Sequence, residues 1–476
     1  MKASIGTNVT ANILDIASRL PENWLIGGES RQIGQIVDRL FPQLTHNQPQ
    51  PTPKTIFLAE SEPVQFIASF IAACASKSHI FLCNPNWVKS EWQQVFDLVK
   101  PDIILGDITL SESRFSSCSN QFHSPDIHSS ETDKLPLIMI PTGGSSGKIR
   151  FAIHTWETLT ASVQGFQQYF QLDRINSFCV LPLYHVSGLM QFMRCFSTGG
   201  KLAIQVFKRL ESGEKCHIEP EEFFISLVPT QLQRLLQNSD TTNWLRRFPT
   251  VLLGGAPPWP ELLAAARKYE IKLALTYGMT ETASQIATLK PEDFLAGNNS
   301  CGHILPHAQV TIRSVKGEIL GDNQVGNITV NAKSLALGYY PPKLGDSDYF
   351  QVDDLGFLDR NNYLNIVGRN SDKIITGGEN VFPAEVEAAI RTTNLVADVA
   401  VIGVLDKHWG QVVTAIYVPT NTTVTVTALQ SAIEGKLSKF KRPKYWVLAT
   451  QLPRNPQGKI NRELLQEIAI VSYKIR

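Results

Sequence analysis

The sequence predicts a layered α/β protein. A large N-terminal domain of layered α/β sheets carries a small β-subdomain and is followed by a small C-terminal α+β domain. Three observations carry this. Short apolar runs alternate with helix-length segments from residue 55 to residue 276, the pattern of mostly parallel sheet with crossover helices. From about residue 300 the texture changes to short strands with Gly and Asp turns. A polar break at 368–373 then precedes a compact run of helix, strand, strand and helix.

In order, 46–54 is polar and Pro-rich and reads as a surface loop. Runs 55–60 and 79–83 read as buried strands around a buried helix at 62–76. A strand at 102–105 and a long polar loop at 111–134 lead to an apolar run at 135–141. Helices follow at 155–170, 188–198 and 261–269, and strands at 177–182, 201–206, 223–228, 251–254 and 272–276. Segments 310–315, 326–330 and onward to 367 form the β-subdomain. Helix 383–391 has Pro at its start and acids in its first turn. Strands 398–404 and 412–418, helix 426–437 and a basic segment complete the chain. The expected domains are 1–368 and 369–476.

Composition excludes several classes. The 476 residues are 43% hydrophobic and 18% charged, which suits a sizeable core and not a disordered chain. Lys plus Arg is 44 against 43 for Asp plus Glu, a net charge of +1, so no basic excess asks for nucleic acid. The 7 cysteines are scattered without a C-x-x-C, which argues against a disulfide framework or zinc ribbon and for a reducing compartment. Residues 1–20 lack a signal-peptide core, and the apolar run 66–75 is too short to span a bilayer. The expectation is a cytoplasmic protein with no integral membrane segment.

The sharpest local feature is PTGGSSGKIR at 141–150. Glycines let the backbone approach a ligand, and successive N–H groups make an anion nest. Hydroxyls and Lys148 or Arg150 add phosphate contacts. A Walker A loop does not fit: Gly143 and Gly147 are one residue too close, and Ile149 follows the lysine. Alone, the segment reads equally as a phosphate cradle or a flexible turn.

This loop resembles the phosphate loop of the adenylate-forming superfamily, which holds acyl-CoA synthetases, luciferases and peptide-synthetase adenylation domains. Thr142, Gly143, Gly144, Ser145, Ser146 and Gly147 fit its T-[SG]-G-[ST]-[ST]-G-x-P-K pattern, while Ile149 and Arg150 replace the usual Pro and Lys. Further motifs follow in the family's order. LPLYHVSGL at 181–189 is similar to the element that lines the acyl pocket, with His185 and Ser187. LLGGAP at 252–257 places Gly254, Gly255 and Ala256 beside acyl group and adenine. TYGMTET at 276–282 supplies Thr276, Tyr277 and Gly278, with Thr280 for the phosphates and Glu281 for Mg²⁺.

In DDLGFLD at 353–359 the resemblance makes Asp354 the ribose-binding acid, with Val352 and Asp353 in place of the usual Thr-Gly. In 368–387 it makes Arg369 the ribose- and phosphate-side arginine and about 369–373 an interdomain hinge. There Ser371 stands where many members carry Asp. TGGEN at 376–380, with Gly377 and Gly378, then lines a pantetheine tunnel. PRNPQGKINR at 453–462 carries Lys459, which reaches the active site during adenylation. The implied activity joins a small-molecule carboxylic acid to coenzyme A (CoA), using ATP and Mg²⁺, through an acyl-adenylate. Catalysis falls to Lys459, Thr280, Glu281 and His185.

The short chain, HVSGL at 185–189 followed by Met193-Arg194, and R-x-S-D-x-I-x-x-GGEN at 369–380 resemble, within the superfamily, the o-succinylbenzoate–CoA ligases of menaquinone and phylloquinone synthesis. That substrate keeps a second carboxylate, which must be paired if buried. Arg194 is the candidate partner, or else a surface residue of its helix. Another aryl- or fatty-acyl-CoA ligase, a carrier-loading adenylation module and a non-catalytic ligand-binding relative are the alternatives. Absence of a carrier domain after residue 476 weighs against the second. The basic stretch 436–444 is either a seat for CoA phosphates or a solvated face. His154, His303 and His307 read as structural or surface residues, and His123 and His128 lack metal-site spacing.

Overall fold

The computed structural model describes residues 13, 15, 17–18, 23–27, 30–45, 53–106, 108, 136–143, 149–341, 349–454 and 460–474. The predicted loop at 111–134 and most of that at 46–54 lie outside them. Numbered along the chain, β2 (Thr55–Leu58) runs parallel to β3 (His79–Leu82) on one side and β4 (Ile103–Leu105) on the other. β5 (Ile138–Gly143) extends this sheet parallel to β3. β6 (Ile149–His154) returns antiparallel, and β16 (Gly338–Tyr340) closes the edge in the order β16-β6-β5-β3-β2-β4.

A second sheet has eight strands. β1 (Leu25–Ile26), β7 (Ser177–Cys179), β8 (Leu202–Ile204), β9 (Phe224–Leu227), β10 (Thr250–Leu253) and β11 (Leu273–Met279) are parallel; β12 (Ser284–Thr288) and β13 (His303–Ile304) are antiparallel. Their order is β1-β8-β7-β9-β10-β11-β12-β13. Parallel strands need both faces covered. Helix Pro63–Ala75 is buried from Phe66 to Ala75, as expected of a helix apolar all round. It shares one core with helices Ser30–Thr45, Trp156–Phe170 and Val186–Thr198. Phe70 meets Phe192 edge-on at 5.9 Å and Trp156 meets Phe196 at 6.0 Å.

The β-subdomain is an antiparallel sheet of β14 (Ala308–Arg313), β15 (Gly326–Ala332), β17 (Phe350–Leu358) and β18 (Leu364–Arg369). Arg369 is thus the last residue of a strand, and the break before the next sheet runs over 370–373. The C-terminal sheet contains β19 (Ile374–Thr376), β20 (Glu379–Val381), β21 (Val396–Asp406), β22 (Gly410–Pro419) and β23 (Tyr445–Leu448). Helices Pro383–Arg391 and Val426–Ile433 share its main apolar core.

Several elements differ from the sequence reading. Helix Ser30–Thr45 was unread, although Ile33, Ile36, Val37 and Leu44 are buried at helical spacing. Helix Arg462–Lys474 replaces part of the basic tail; Leu465 and Ala469 bury against β21 and β22. The helix expected at 426–437 stops at Ile433, two residues before Gly435, a poor helix former.

Candidate active site

The first sheet brings two motifs together. His154, at the end of β6, is fully buried, and its Nε2 donates to the Thr280 carbonyl at 2.8 Å. A carbonyl only accepts, so the proton sits on Nε2. Burial lowers the ring's pKa to about 4 and keeps it neutral. His154 is therefore structural, and it anchors the turn that presents Glu281. Gly278 sits in that motif because a Cβ there would lie 2.1 Å from the Ser284 carbonyl.

Glu281 is clasped from two sides. Its backbone carbonyl accepts from Ala336 N at 2.8 Å. Its Oε1 accepts from the Tyr339 hydroxyl at 2.7 Å and from Thr142 Oγ1 at 3.5 Å. The Arg150 guanidinium lies over the Tyr339 ring, 5.5 Å from its centroid. Burial, then the Glu281 charge, pushes the Tyr339 hydroxyl's pKa up. Sequence reasoning missed Tyr339. β5 and β6 pair Gly143 with Ile149 across the phosphate loop; Gly144, Ser145, Ser146, Gly147 and Lys148 lie outside the described residues. One carboxylate with hydroxyls nearby suits a hard, oxygen-seeking ion whose remaining ligands come from phosphates and water. Among the described residues no larger His, Cys, Asp or Glu cluster could hold a metal alone.

Asp354 lies opposite Arg369 in the β17–β18 register. Its Oδ2 accepts from the Tyr277 hydroxyl at 2.7 Å, and Arg369 Nε is 3.3 Å from its Oδ1. Burial first, then Asp354, pushes the Tyr277 pKa up. A carboxylate has about four lone-pair sites, so capacity remains for hydroxyl donors. At the end of β10, Gly254 leaves room for Thr276: a Cβ there would lie 2.4 Å from Thr276 Oγ1. Gly255 has φ +81, a conformation costly for other residues; Ala256 follows it, exposed.

His185 is the N-cap of helix Val186–Thr198, its ring 4.6 Å from that of Tyr184. Ser187 is exposed at the helix start, about 10 Å along the axis from Arg194 at 1.5 Å per residue. Arg194 is not a surface residue: it is 2% exposed. Its Nη2 donates to Ser284 Oγ at 3.1 Å and Gln285 Oε1 at 2.8 Å, and its guanidinium stacks 4.3 Å from the Phe166 centroid. Among the described residues its Nε has no partner, and no ion pair involves it. Burial lowers its pKa to about 10. Gln191 Oε1, Gln285 Nε2 and both ring nitrogens of His307 are also buried without partners. Burial, then Arg194, lowers the His307 pKa to about 4. A neutral His307 beside Gly165 was not foreseen; a Cβ on Gly165 would lie 1.8 Å from its Nδ1.

Gly377 and Gly378 turn the β19–β20 hairpin with φ +59 and +83, the double positive φ of a tight hairpin turn. Gly377 N donates to the Trp409 carbonyl at 2.9 Å. Lys459 lies outside the described residues; its flanks Arg454 and Ile460 form an antiparallel bridge. The basic stretch is largely engaged. Lys441 pairs with Glu385, Arg442 with Glu434 at 2.9 Å, and Lys436 donates to Thr392 Oγ1 at 2.7 Å.

A layered α/β domain with acids, hydroxyls and glycine turns gathered at its strand ends, followed by a small α+β domain, is the layout of adenylate-forming enzymes. The chain belongs to the AMP-binding enzyme family, whose profile matches residues 54–340, with the AMP-binding enzyme C-terminal domain matching 385–459. A 2-succinylbenzoate–CoA ligase from Enterococcus faecalis is 31% identical over 361 residues, 73% of this chain and 72% of that protein. One from Listeria monocytogenes is 33% identical over 339 residues, 68% of each. The o-succinylbenzoate CoA synthetase of Bacillus subtilis, solved with its acyl-adenylate intermediate, superposes with TM-score 0.77 at 22% identity, covering 96% of this chain and 97% of that one. The fold is thereby established as that of this family. No helix among the described residues is long and apolar enough to cross a membrane.

Proposed function

We propose that this chain is an AMP-forming 2-succinylbenzoate–CoA ligase, using ATP, Mg²⁺ and CoA in two half-reactions. The observation that carries the choice of acid is Arg194. A wholly buried guanidinium, without an ion pair among the described residues, is costly to keep charged. It sits against Ser284 and Gln285, which face Met279 and Gly278 of the nucleotide motif in the β11–β12 register. A substrate with a second, unreactive carboxylate supplies the missing anion. Relatives named for that acid, matching over two thirds of the chain, support the reading.

In the first half-reaction a carboxylate oxygen attacks the α-phosphorus of ATP, and the bond to pyrophosphate breaks. Two anions must meet, so positioning and charge neutralisation do most of the work. Glu281 holds the metal, which neutralises phosphate charge when bound. Asp354 and Arg369 take the ribose, the 142–150 loop takes the phosphates, and Lys459 reaches the reacting carboxylate. His185 and Ser187 line the acid side with Gly254, Gly255 and Thr276. In the second half-reaction the small domain turns at the 370–373 break. The Gly377–Gly378 hairpin then guides the CoA thiol, which attacks the acyl carbonyl as thiolate and releases AMP. The test is to follow CoA-ester, AMP and pyrophosphate with 2-succinylbenzoate beside benzoate and a medium-chain fatty acid. Preference for either monocarboxylate overturns the assignment of the acid; no adenylation of any of them overturns the ligase reading.

A further inference from the structure

Arg150 replaces the usual lysine of the phosphate loop, and what it does there is read from its neighbours. β16 pairs antiparallel with β6, placing Tyr339 opposite Ala152. From there the Tyr339 hydroxyl reaches Glu281 Oε1 at 2.7 Å, while Arg150 covers the ring at 5.5 Å. Three residues earlier on the same segment, Ala336 N holds the Glu281 backbone carbonyl at 2.8 Å. One short segment therefore fixes both the main chain and the side chain of the acid. The Tyr339 hydroxyl can donate one hydrogen bond, and that bond goes to Oε1. Among the described residues the other carboxylate oxygen accepts no hydrogen bond.

We propose that Tyr339 is a positioning residue for adenylation: its hydroxyl sets the Glu281 carboxylate for the metal, and its ring seats Arg150 beside the triphosphate. The inference rests on the ligase reading, which assigns Glu281 to Mg²⁺. A ring under a guanidinium holds it by cation–π attraction while leaving its N–H groups free for phosphate oxygens. A free carboxylate rotates; one with an oxygen pinned loses less freedom when the ion arrives.

The test uses the full-length enzyme and separates hydroxyl from ring. Tyr339→Phe keeps the seat for Arg150 and loses the bond to Glu281. The Mg²⁺ concentration for half-maximal ATP–pyrophosphate exchange should rise roughly tenfold, the size of one hydrogen bond to a charged group. Mn²⁺ binding in the presence of a non-hydrolysable ATP analogue, read by electron paramagnetic resonance, should weaken by a similar factor. Thioester formation from supplied acyl-adenylate should stay near the parent rate. Tyr339→Leu should add a rise in the KM for ATP that saturating Mg²⁺ does not cure. Unchanged or tighter Mn²⁺ binding in Tyr339→Phe overturns the proposal, as does a parallel loss of both half-reactions with a fall in Tm. Equal ATP KM in the two variants overturns the role given to the ring. If the parent enzyme adenylates no acid, the ligase reading fails, and Mn²⁺ binding still reports on Tyr339.

Discussion

Replacing Arg194 by Met tests the acid's second carboxylate most directly. The side chain is 2% exposed, and burial lowers its pKa from 12.5 to about 10. At ~1.4 kcal/mol per pH unit, holding that charge costs the free enzyme on the order of 3 kcal/mol. Met fills much of the same volume without the charge. It forfeits the bonds to Ser284 and Gln285 and the stack on Phe166. These opposing effects should leave stability within about 1–2 kcal/mol of the parent, as for buried charges replaced by apolar residues. Binding of the dicarboxylate suffers differently, because its spectator anion is left unpaired in a dry site. A loss of about 3–5 kcal/mol is a fall of at least a hundredfold in kcat/KM, at ~1.4 kcal/mol per tenfold. An analogue lacking the ring carboxylate should be a poor substrate of the parent and change little on substitution. The assay is CoA-ester formation with both acids, alongside thermal unfolding. If both substrates lose alike and Tm collapses, Arg194 is structural and the pairing is wrong.

Lys459→Ala should cripple adenylation while sparing thioester formation from supplied acyl-adenylate; equal losses count against its assignment. Asp354→Asn should raise the KM for ATP about tenfold, since hydrogen bonds to a charged group are the stronger ones; an unchanged ATP titration removes the role. Gly165→Ala drives a Cβ to 1.8 Å from His307 Nδ1 and should cost about 1–3 kcal/mol by overpacking. Adding His307→Ala should restore Tm, and failure to do so refutes the clash. His79 Nδ1 accepts from Leu137 N at 3.3 Å, and burial lowers its pKa to about 4. The unfolded chain protonates below pH ~6.5 while the folded one does not, so stability falls on acidification at up to ~1.4 kcal/mol per pH unit. The fall levels off below the folded pKa. His79→Asn should remove about 2 kcal/mol of the loss between pH 7 and pH 5 in urea unfolding; parallel pH profiles would exclude the effect.

The motif-bearing half of the site was legible because its chemistry is local. TYGMTET and the Asp354 strand each occupy a few consecutive residues, and Thr142 meets Glu281 and Tyr277 meets Asp354 across strand ends. Tyr339 was not legible: it meets Glu281 from 58 residues away, through an edge pairing that its own short strand does not announce. His307 is hidden for a related reason, its space being made by Gly165 on a distant helix. In the basic stretch the sequence shows the charges and not their partners: Glu385 and Glu434 engage Lys441 and Arg442 in partly exposed ion pairs, which are weak and leave both readings of the stretch standing. The long core helix at 62–76 was plain from its unbroken apolar run. The amphipathic Ser30–Thr45 carries its pattern diluted by polar residues.

The break between the two sheets is tethered from opposite sides within two consecutive residues. Ser371 belongs to the large body: its backbone N–H donates to Asp353 Oδ1 at 3.2 Å, and its hydroxyl donates to Oδ2. Asp372 belongs to the small one, its carboxylate 3.0 Å from Arg462 on the last helix. A backbone bond from Lys373 N to the Asn370 carbonyl at 3.3 Å spans the peptide between them. On the ligase reading, a turn of the small domain at this break has to open that bond, while each side-chain tether can travel with its own body.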